Sequence, residues 1–599
     1  MHNLYLKMKA NIITILSYRG KLTALIMACG ITFASAQILP SNRMADWKQA
    51  GIQGVPFNPC YIIHVNDHGA DSTGVSPSDA ALQSAISLLS GDPGIIYFSE
   101  GTYLFQSTIS LPSNCVLRGA GSNFTRLHFN LGGNGNCIQA IGMNVAGSVD
   151  TLVASALKND NFIRSSFPQI FEAGDYIRLF MDDIHLVNDS WAEHSVMHLT
   201  QILSISEDTL FLDQELRHSF STSNSARIQK INPVLNAGVE NLKIKRLDAT
   251  VSQSKNILFK RAAHCWIKGV ESDMCNFGHF VLNMSAYCEI SGSYIHHAFD
   301  YGSGGKAYGV VLEVGTNLAL VENNIFNHLR HSILLQSGAN GNVISYNYST
   351  DPYWTEFFTN AGGDIVLHGN YPFLNLFEGN VVQNIRIDAS HGENGPFNTF
   401  LRNRAELWGF IMSSSPASDS QNVIGLEVTN SGLFLGNYAL SGTGHFAYGN
   451  NILGVNQPPG TTILEDTSYA YAVFPDFLSS STGWPLIGYP NVLNAQTTPA
   501  ETRFVSSSPP YTISPSSYEI QNDAIFWTGC VGSNEWSDAR NWSKLSLPNS
   551  SSEVVIRTPI QVGGRMPILS ADSVFIHSMD IKPLSALHVI SPGFLKVMN

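Results

Sequence analysis

Ile267-Lys268-Gly269-Val270, Ile290-Ser291-Gly292-Ser293, Val321-Glu322-Asn323-Asn324 and Ile344-Ser345-Tyr346-Asn347 share one pattern. An aliphatic residue is followed by two variable residues and then a residue that is often asparagine. The pattern continues through Phe377-Glu378-Gly379-Asn380, Leu401-Arg402-Asn403-Arg404, Ile424-Gly425-Leu426-Glu427 and Ala447-Tyr448-Gly449-Asn450. Its fourth residues are 23, 31, 23, 33, 24, 23 and 23 apart. A basic period of 23 with two longer steps is the mark of a solenoid, in which each repeat is one coil and insertions collect as loops. Short runs such as Val310-Val311-Leu312, Ile333-Leu334-Leu335 and Ile365-Val366-Leu367, broken by Gly and Asn, read as strands. The period leaves no room for a helix pair.

Parallel strands in adjacent coils stack about 4.8 Å apart, so equivalent residues touch. Ile267, Ile290, Val321, Ile344, Phe377, Leu401 and Ile424 are then expected to form an inward aliphatic stack. Asn324, Asn347 and Asn380 should form an amide ladder at a turn, and Cys265 and Cys288 should stack as buried thiols.

Working outward, residues 60–144 hold an N-terminal cap and first coils. Ser76 suits a cap, Pro77 a first helical position, and Leu82, Ala85, Ile86 and Leu89 make one apolar face. Such a helix would plug the open solenoid end. Residues 145–235 break the period and read as an inserted β-subdomain; the main coils occupy 236–495. A Pro/Ser/Thr-rich linker covers 496–524, and 525–599 is a Trp-rich β-module whose Trp527, Trp536 and Trp542 read as core rather than sugar-stacking residues. The chain stops in mid-pattern at Asn599, which leaves truncation open.

At the N-terminus, Lys7, Lys9, Arg19 and Lys21 precede an apolar run and Ala34-Ser35-Ala36, the form of a secretory signal peptide over 1–36. No later segment is apolar enough for an integral membrane span. Without those four cations, 29 Lys+Arg face 46 Asp+Glu, a formal charge of −17, which disfavours nucleic acid as partner. The seven remaining cysteines are odd in number and scattered, giving no disulfide framework and no CxxC metal spacing.

The segment Val65-Asn66-Asp67-His68-Gly69-Ala70-Asp71, Asp79–Ile86, Ile95–Tyr103 and Leu117-Arg118-Gly119-Ala120-Gly121 resembles the rhamnogalacturonase/epimerase-like pectate lyase family. That resemblance implies an all-β, right-handed parallel β-helix of the pectin-lyase type over residues 60–455. The C-terminal module resembles one common in secreted Bacteroidetes-type proteins. Catalytic signatures do not carry over: the coils lack the adjacent Asp-Asp with His-Gly of polygalacturonases and the Arg-x-Pro-x-x-Arg of pectate lyases.

Function in such a fold sits on one outward face under long turns. The 31- and 33-residue steps carry His296-His297-Ala298-Phe299-Asp300-Tyr301 through Tyr308, and Asp351-Pro352-Tyr353-Trp354-Thr355-Glu356, two walls for a groove. Between them Leu312-Glu313, Leu335-Gln336, Leu367-His368 and Ser390-His391 align as a polar column. Arg330, Tyr353 and Arg386 align as a second, with Asp388 two residues further and His328 and His331 flanking Arg330. Cationic and imidazole groups gathered in an acidic protein suit an anionic polysaccharide. For β-elimination, His368 or His391 is the base, Arg330 or Arg386 the charge neutraliser and Tyr353 the proton donor; for hydrolysis, Glu313, Glu356, Asp364, Asp388 and Glu393 are the available carboxylates. Gln336, Trp354, His328, His331, Arg386, Tyr301 and Tyr308 would bind substrate. A lyase is favoured over a glycoside hydrolase on the same fold, and over a non-catalytic glycan-binding or surface adhesion protein. The signal peptide argues against a tailspike-like depolymerase and for a secreted or surface location. No metal ligands are assigned, and a Ca²⁺ requirement stays open.

Overall fold

The computed structural model describes residues 37–52, 57–461, 464–478, 484, 487, 496–514, 524–557, 565–570 and 572–598. The segment read as a signal peptide, 1–36, lies outside them. The chain winds as a right-handed parallel β-helix. One parallel sheet of 12 strands runs in the order Tyr61–His64, Gly94–Phe98, Cys115–Gly119, Gly238–Glu240, Trp266–Lys268 and onward to Phe446–Tyr448. The other faces of the coils form a second large sheet.

The repeating tetrad has a backbone cause. A left-handed residue bends each coil between the two sheets: it is the third of the tetrad at Gly269, Gly292, Asn323, Tyr346, Gly379 and Gly449, and the second of the tetrads read from Leu401 and Ile424, at Arg402 and Gly425. Glycine does this without steric penalty, hence its frequency there. The fourth residue then points inward. Asn324 Nδ2 donates to Asn347 Oδ1 (3.0 Å), Asn347 to Asn380 (2.9 Å) and Asn380 to Asn403 (2.8 Å). The expected ladder is present, one rung longer. A second ladder of Asn342, Asn375, Asn398 and Gln421 runs parallel to it.

That extra rung corrects the expected core stack. Phe377 pairs with Phe400 and Phe400 with Val423, so these two residues, not Leu401 and Ile424, continue the inward line of Ile267, Ile290, Val321 and Ile344. Leu401 and Ile424 face outward, where they join Leu39, Trp47 and Leu464 in a separate apolar cluster. Arg404 and Glu427, one position past the true fourth residues, form a buried ion pair (2.7 Å). Cys265 and Cys288 are free and buried, as expected.

The capping helix spans Asp79–Leu88 with Ser78, not Ser76, at its N-cap; Pro77 belongs to the preceding strand. Its Ala81, Leu82 and Ala85 close the core. The insertion leaves after Ile138–Ile141, builds a six-stranded antiparallel sheet and returns at Gly238, which pairs with Val116 of the coil before it. Within the Pro/Ser/Thr-rich stretch read as a linker, Pro499–Val505 is a helix, and its Phe504 packs with Tyr294 and Tyr348. In the C-terminal module Trp527, Trp536 and Trp542 are core residues in mutual ring contact. Cys530 of this module forms a disulfide with Cys60 of the first coil, contrary to the expectation of no disulfide; a sequence separation of 470 gives no local signal for it. Among the described residues no helix is long and apolar enough to cross a membrane.

Candidate active site

One outward column organises the central coils. Strand alternation sends Phe259, Leu282, Leu312 and Leu335 into the core, so each following residue points out. The register places Lys260, Asn283 and Glu313 side by side, with Gln336, His368 and Asp388 continuing the line through the backbone bonds of successive coils. Asn283 Nδ2 and Gln336 Nε2 donate to the two oxygens of Glu313 at 2.9 and 3.0 Å. His368 Nδ1 lies 3.0 and 2.8 Å from the oxygens of Asp388. Burial alone would raise the Asp388 carboxyl, but the hydrogen bond and charge of His368 hold it below its ordinary value.

Asp388 thus takes the column position that sequence alignment gives to His391. The coil between Leu367 and Ile387 is shorter than its neighbours, which pushes His391 into the turn beyond. The turn folds back: Asn370 N donates to His391 O (2.8 Å), and a Cβ on Gly369, whose φ is +84°, would overlap that backbone. The His391 ring consequently sits 5.0 Å from that of His368. His391 Nδ1 meets Asp189 Oδ2 of the inserted subdomain at 2.7 Å, and Trp191 packs edge-on against the same ring (5.4 Å). Two imidazoles therefore stand together, each with Nδ1 engaged by a carboxylate and Nε2 left for chemistry.

The insertion reaches the coils through a further asparagine line. Asn317, Asn340 and Asn370 bond to the backbone of Leu199, Met197 and Asn188, and Asn370 Nδ2 also donates to Asp189 (2.9 Å). At Gly338, φ +69°, any Cβ would collide with the Ser195 carbonyl, so glycine is required for this approach.

A cleft of about 960 Å³ opens over the column. Glu313, Gln336, His368, His391, Arg330 and Tyr308 of the sequence-derived set line it, joined by Lys255, Lys260, Arg261, Asn283, Phe277 and Trp191. Glu313 is the single carboxylate residue of the lining, against four cations. Burial lowers the pKa of Lys255, opposed by Glu313, and burial likewise lowers Arg261. Arg330 donates Nη1 to Gly302 O (2.8 Å), while its buried Nε has no partner among the described residues. Partly desolvated cations of this kind favour an anionic ligand.

The other residues fall elsewhere. His331 lies behind the cleft, donating Nδ1–H to Gly363 O (3.0 Å); burial, then His368 and Arg330, push it down to about 3, so it is neutral. Arg386 does not stack with Arg330: it continues the outward apolar column of Val311, Leu334 and Val366. Tyr353, Tyr301 and His328 form a second aromatic cluster, with ring centroids about 5 Å apart, away from the cleft lining. Trp354 is close to Arg330 (5.9 Å) but is not part of the lining. Outside the cleft, Asp273, His296 and His297 also bring metal-ligand atoms together.

Asp189 and Trp191 were not legible in the sequence, since they arrive from an antiparallel insertion some 200 residues upstream of His391. Lys260 and Asn283 had a signal: each immediately follows an inward residue in the same alternation as Glu313.

Residues 62–189 match the family described as rhamnogalacturonase A/epimerase, pectate lyase-like. The match is confined to this N-terminal segment; the coils as a whole show the fold, a right-handed parallel β-helix. No curated protein matches the sequence. Among solved structures, the chain is similar to the tailspike protein gp49 from Pseudomonas phage LKA1, at 15% identity over 61% of this chain and 64% of that one, TM-score 0.47. It is also similar to the catalytic unit of the GH87 α-1,3-glucanase from Streptomyces thermodiastaticus, at 13% identity over 68% of each chain, TM-score 0.35. Both are likenesses of fold alone.

Proposed function

We propose that this protein is a secreted polysaccharide lyase that cleaves an anionic, uronate-bearing glycan by β-elimination. The observation that carries this reading is the pair of carboxylate-bound imidazoles, His368 and His391, in a cleft whose remaining charge is four cations and one carboxylate residue. β-Elimination requires a base for the proton α to the uronate carboxylate, positive charge for the enolate-like intermediate, and an acid for the leaving oxygen. One imidazole takes the α proton at Nε2. The electron pair forms the new C=C bond as the glycosidic C–O bond breaks, and the second, protonated imidazole supplies the proton to the departing oxygen. Arg330 and Lys260 face the substrate carboxylate. The donor in this reading is the second imidazole rather than Tyr353, which is not among the residues lining the cleft.

Hydrolysis would need two free carboxylates, about 5 Å or roughly 6.5–9.5 Å apart according to stereochemistry. Asp388 and Asp189 are occupied by the imidazoles, and Glu313 is held by Asn283 and Gln336. This favours elimination. The basic lead of residues 1–36 supports secretion.

Incubation with a panel of uronate polysaccharides tests the reading through the ultraviolet absorbance of an unsaturated uronate product. His368→Ala and His391→Ala should each retain the fold, and at least one should lose about two orders of magnitude in rate. New reducing ends without unsaturation would identify a hydrolase instead; retention without turnover would identify a binding protein.

A further inference from the structure

On the face beyond the cleft, Asp273 and His296 are register partners in adjacent coils, so carboxylate and imidazole stand side by side. His297 follows immediately and on a regular strand would point to the opposite face. Its backbone is left-handed instead, with φ +58°, and this turns its ring back until the two Nδ1 atoms are 2.8 Å apart. The same left-handed turn recurs at Met274, His328 and Asp351 in neighbouring coils, so the solenoid itself enforces it. The ligand-type atoms of Asp273, His296 and His297 all lie within 4.8 Å of one another.

We infer that Asp273, His296 and His297 form a site for a divalent transition-metal ion of the zinc type, at the root of the loop that walls the cleft. Three features make the set suitable. Glu271 Oε1 accepts from His296 Nε2 (3.2 Å), which assigns the ring proton to Nε2 and leaves the Nδ1 lone pair directed at His297. A carboxylate behind a ligating histidine commonly fixes its tautomer in this way. The Oδ2 atom of Asp273 is engaged by Lys243 (3.2 Å) and Lys245 (3.1 Å), whereas Oδ1 faces His296 Nδ1 at 3.7 Å and is available to an ion. The two Nδ1 atoms of His296 and His297, 2.8 Å apart, are close enough to face a single ion.

The donor chemistry selects the ion. Two imidazole nitrogens and one carboxylate oxygen suit Zn²⁺ and its neighbours, while Ca²⁺ and Mg²⁺ require oxygen-rich shells. His297 is exposed, which leaves an open side for water or another ligand. Glu271 and Asp273 are balanced by Lys243 and Lys245, so binding would rest on coordination rather than on a negative field. The chain leaves this site through Ala298 into residues 299–307, whose Gly304 and Gly305 line the cleft and whose Gly302 carbonyl accepts from Arg330. An ion here would pin that loop at its origin.

Untagged full-length protein, stripped with chelator, is titrated with Zn²⁺ by calorimetry, and the Co²⁺ derivative is followed by its visible spectrum. Saturable binding of one ion per chain is expected. His297→Ala, at an exposed side chain, should weaken Zn²⁺ by about a hundredfold or more, and Glu271→Gln by about ten- to a hundredfold, the usual range for an orienting carboxylate. His185→Ala, also exposed, serves as the control and should change nothing. Unchanged melting in chelator shows that His297→Ala is folded. Absence of saturable binding by the wild type, or undiminished affinity in His297→Ala, overturns the assignment.

Discussion

Replacing Asn347 by the near-isosteric Leu tests whether the amide ladder holds the coils together. Asn347 is fully buried. Its Nδ2 donates to Val321 O and Asn380 Oδ1, both at 2.9 Å, and its Oδ1 accepts from the backbone N and the Nδ2 of Asn324, both at 3.0 Å. Leucine removes all four bonds. Asn380 Oδ1 keeps a donor in the Asn347 backbone N (3.0 Å), and Asn324 Nδ2 keeps Ile290 O (2.9 Å). The Asn324 N–H, one amide hydrogen of its side chain and the Val321 carbonyl lose these contacts where water does not enter. At about 1–3 kcal/mol for each of these three groups, less about 1–2 kcal/mol gained by burying an apolar side chain, the loss should be about 1–8 kcal/mol. Urea denaturation followed by tryptophan fluorescence measures it, with the midpoint compared at equal slope, because a solenoid need not unfold in one step. A loss below about 1 kcal/mol would refute the claim that ladder satisfaction, rather than aliphatic packing alone, secures the turn.

Two further outcomes follow from the same geometry. Asp189→Ala removes the carboxylate from His391 Nδ1 (2.7 Å) and should lower turnover about ten- to a hundredfold while altering the pH–rate profile; an unchanged profile would mean that Asp189 only docks the insertion. Burial pushes Asp364 up from 3.8 to about 6 despite hydrogen bonds from Ser349, Gln383 and Asn384, so the folded state holds a proton that the unfolded chain has already released. Stability from this group is full below pH 3.8 and is lost as pH rises through about 6, at about 1.4 kcal/mol per unit. Asp364→Asn should therefore flatten that part of the stability profile, and an unaltered slope would show that other groups set it.

The 23-residue tetrad by itself determined the solenoid, the core line from Ile267 to Phe377 and the Asn324–Asn347–Asn380 ladder, because stacking at a constant strand spacing turns sequence period into spatial adjacency. The same adjacency made Glu313, Gln336 and His368 readable as neighbours. It failed at two places. Leu401 was read in place of Phe400, although Gly425 in the left-handed third position of the next tetrad marks the true register. His391 was read in place of Asp388 because the intervening turn is shorter than the alignment assumed. Only the tertiary structure brought Asp189 and Trp191 to His391, Cys530 to Cys60, and the left-handed His297 ring back toward His296. The first two contacts depend on how an insertion docks and how two distant segments meet, which no local repeat encodes; the turn at His297 does recur, at Met274, His328 and Asp351, but only the structure shows it bringing two imidazoles together.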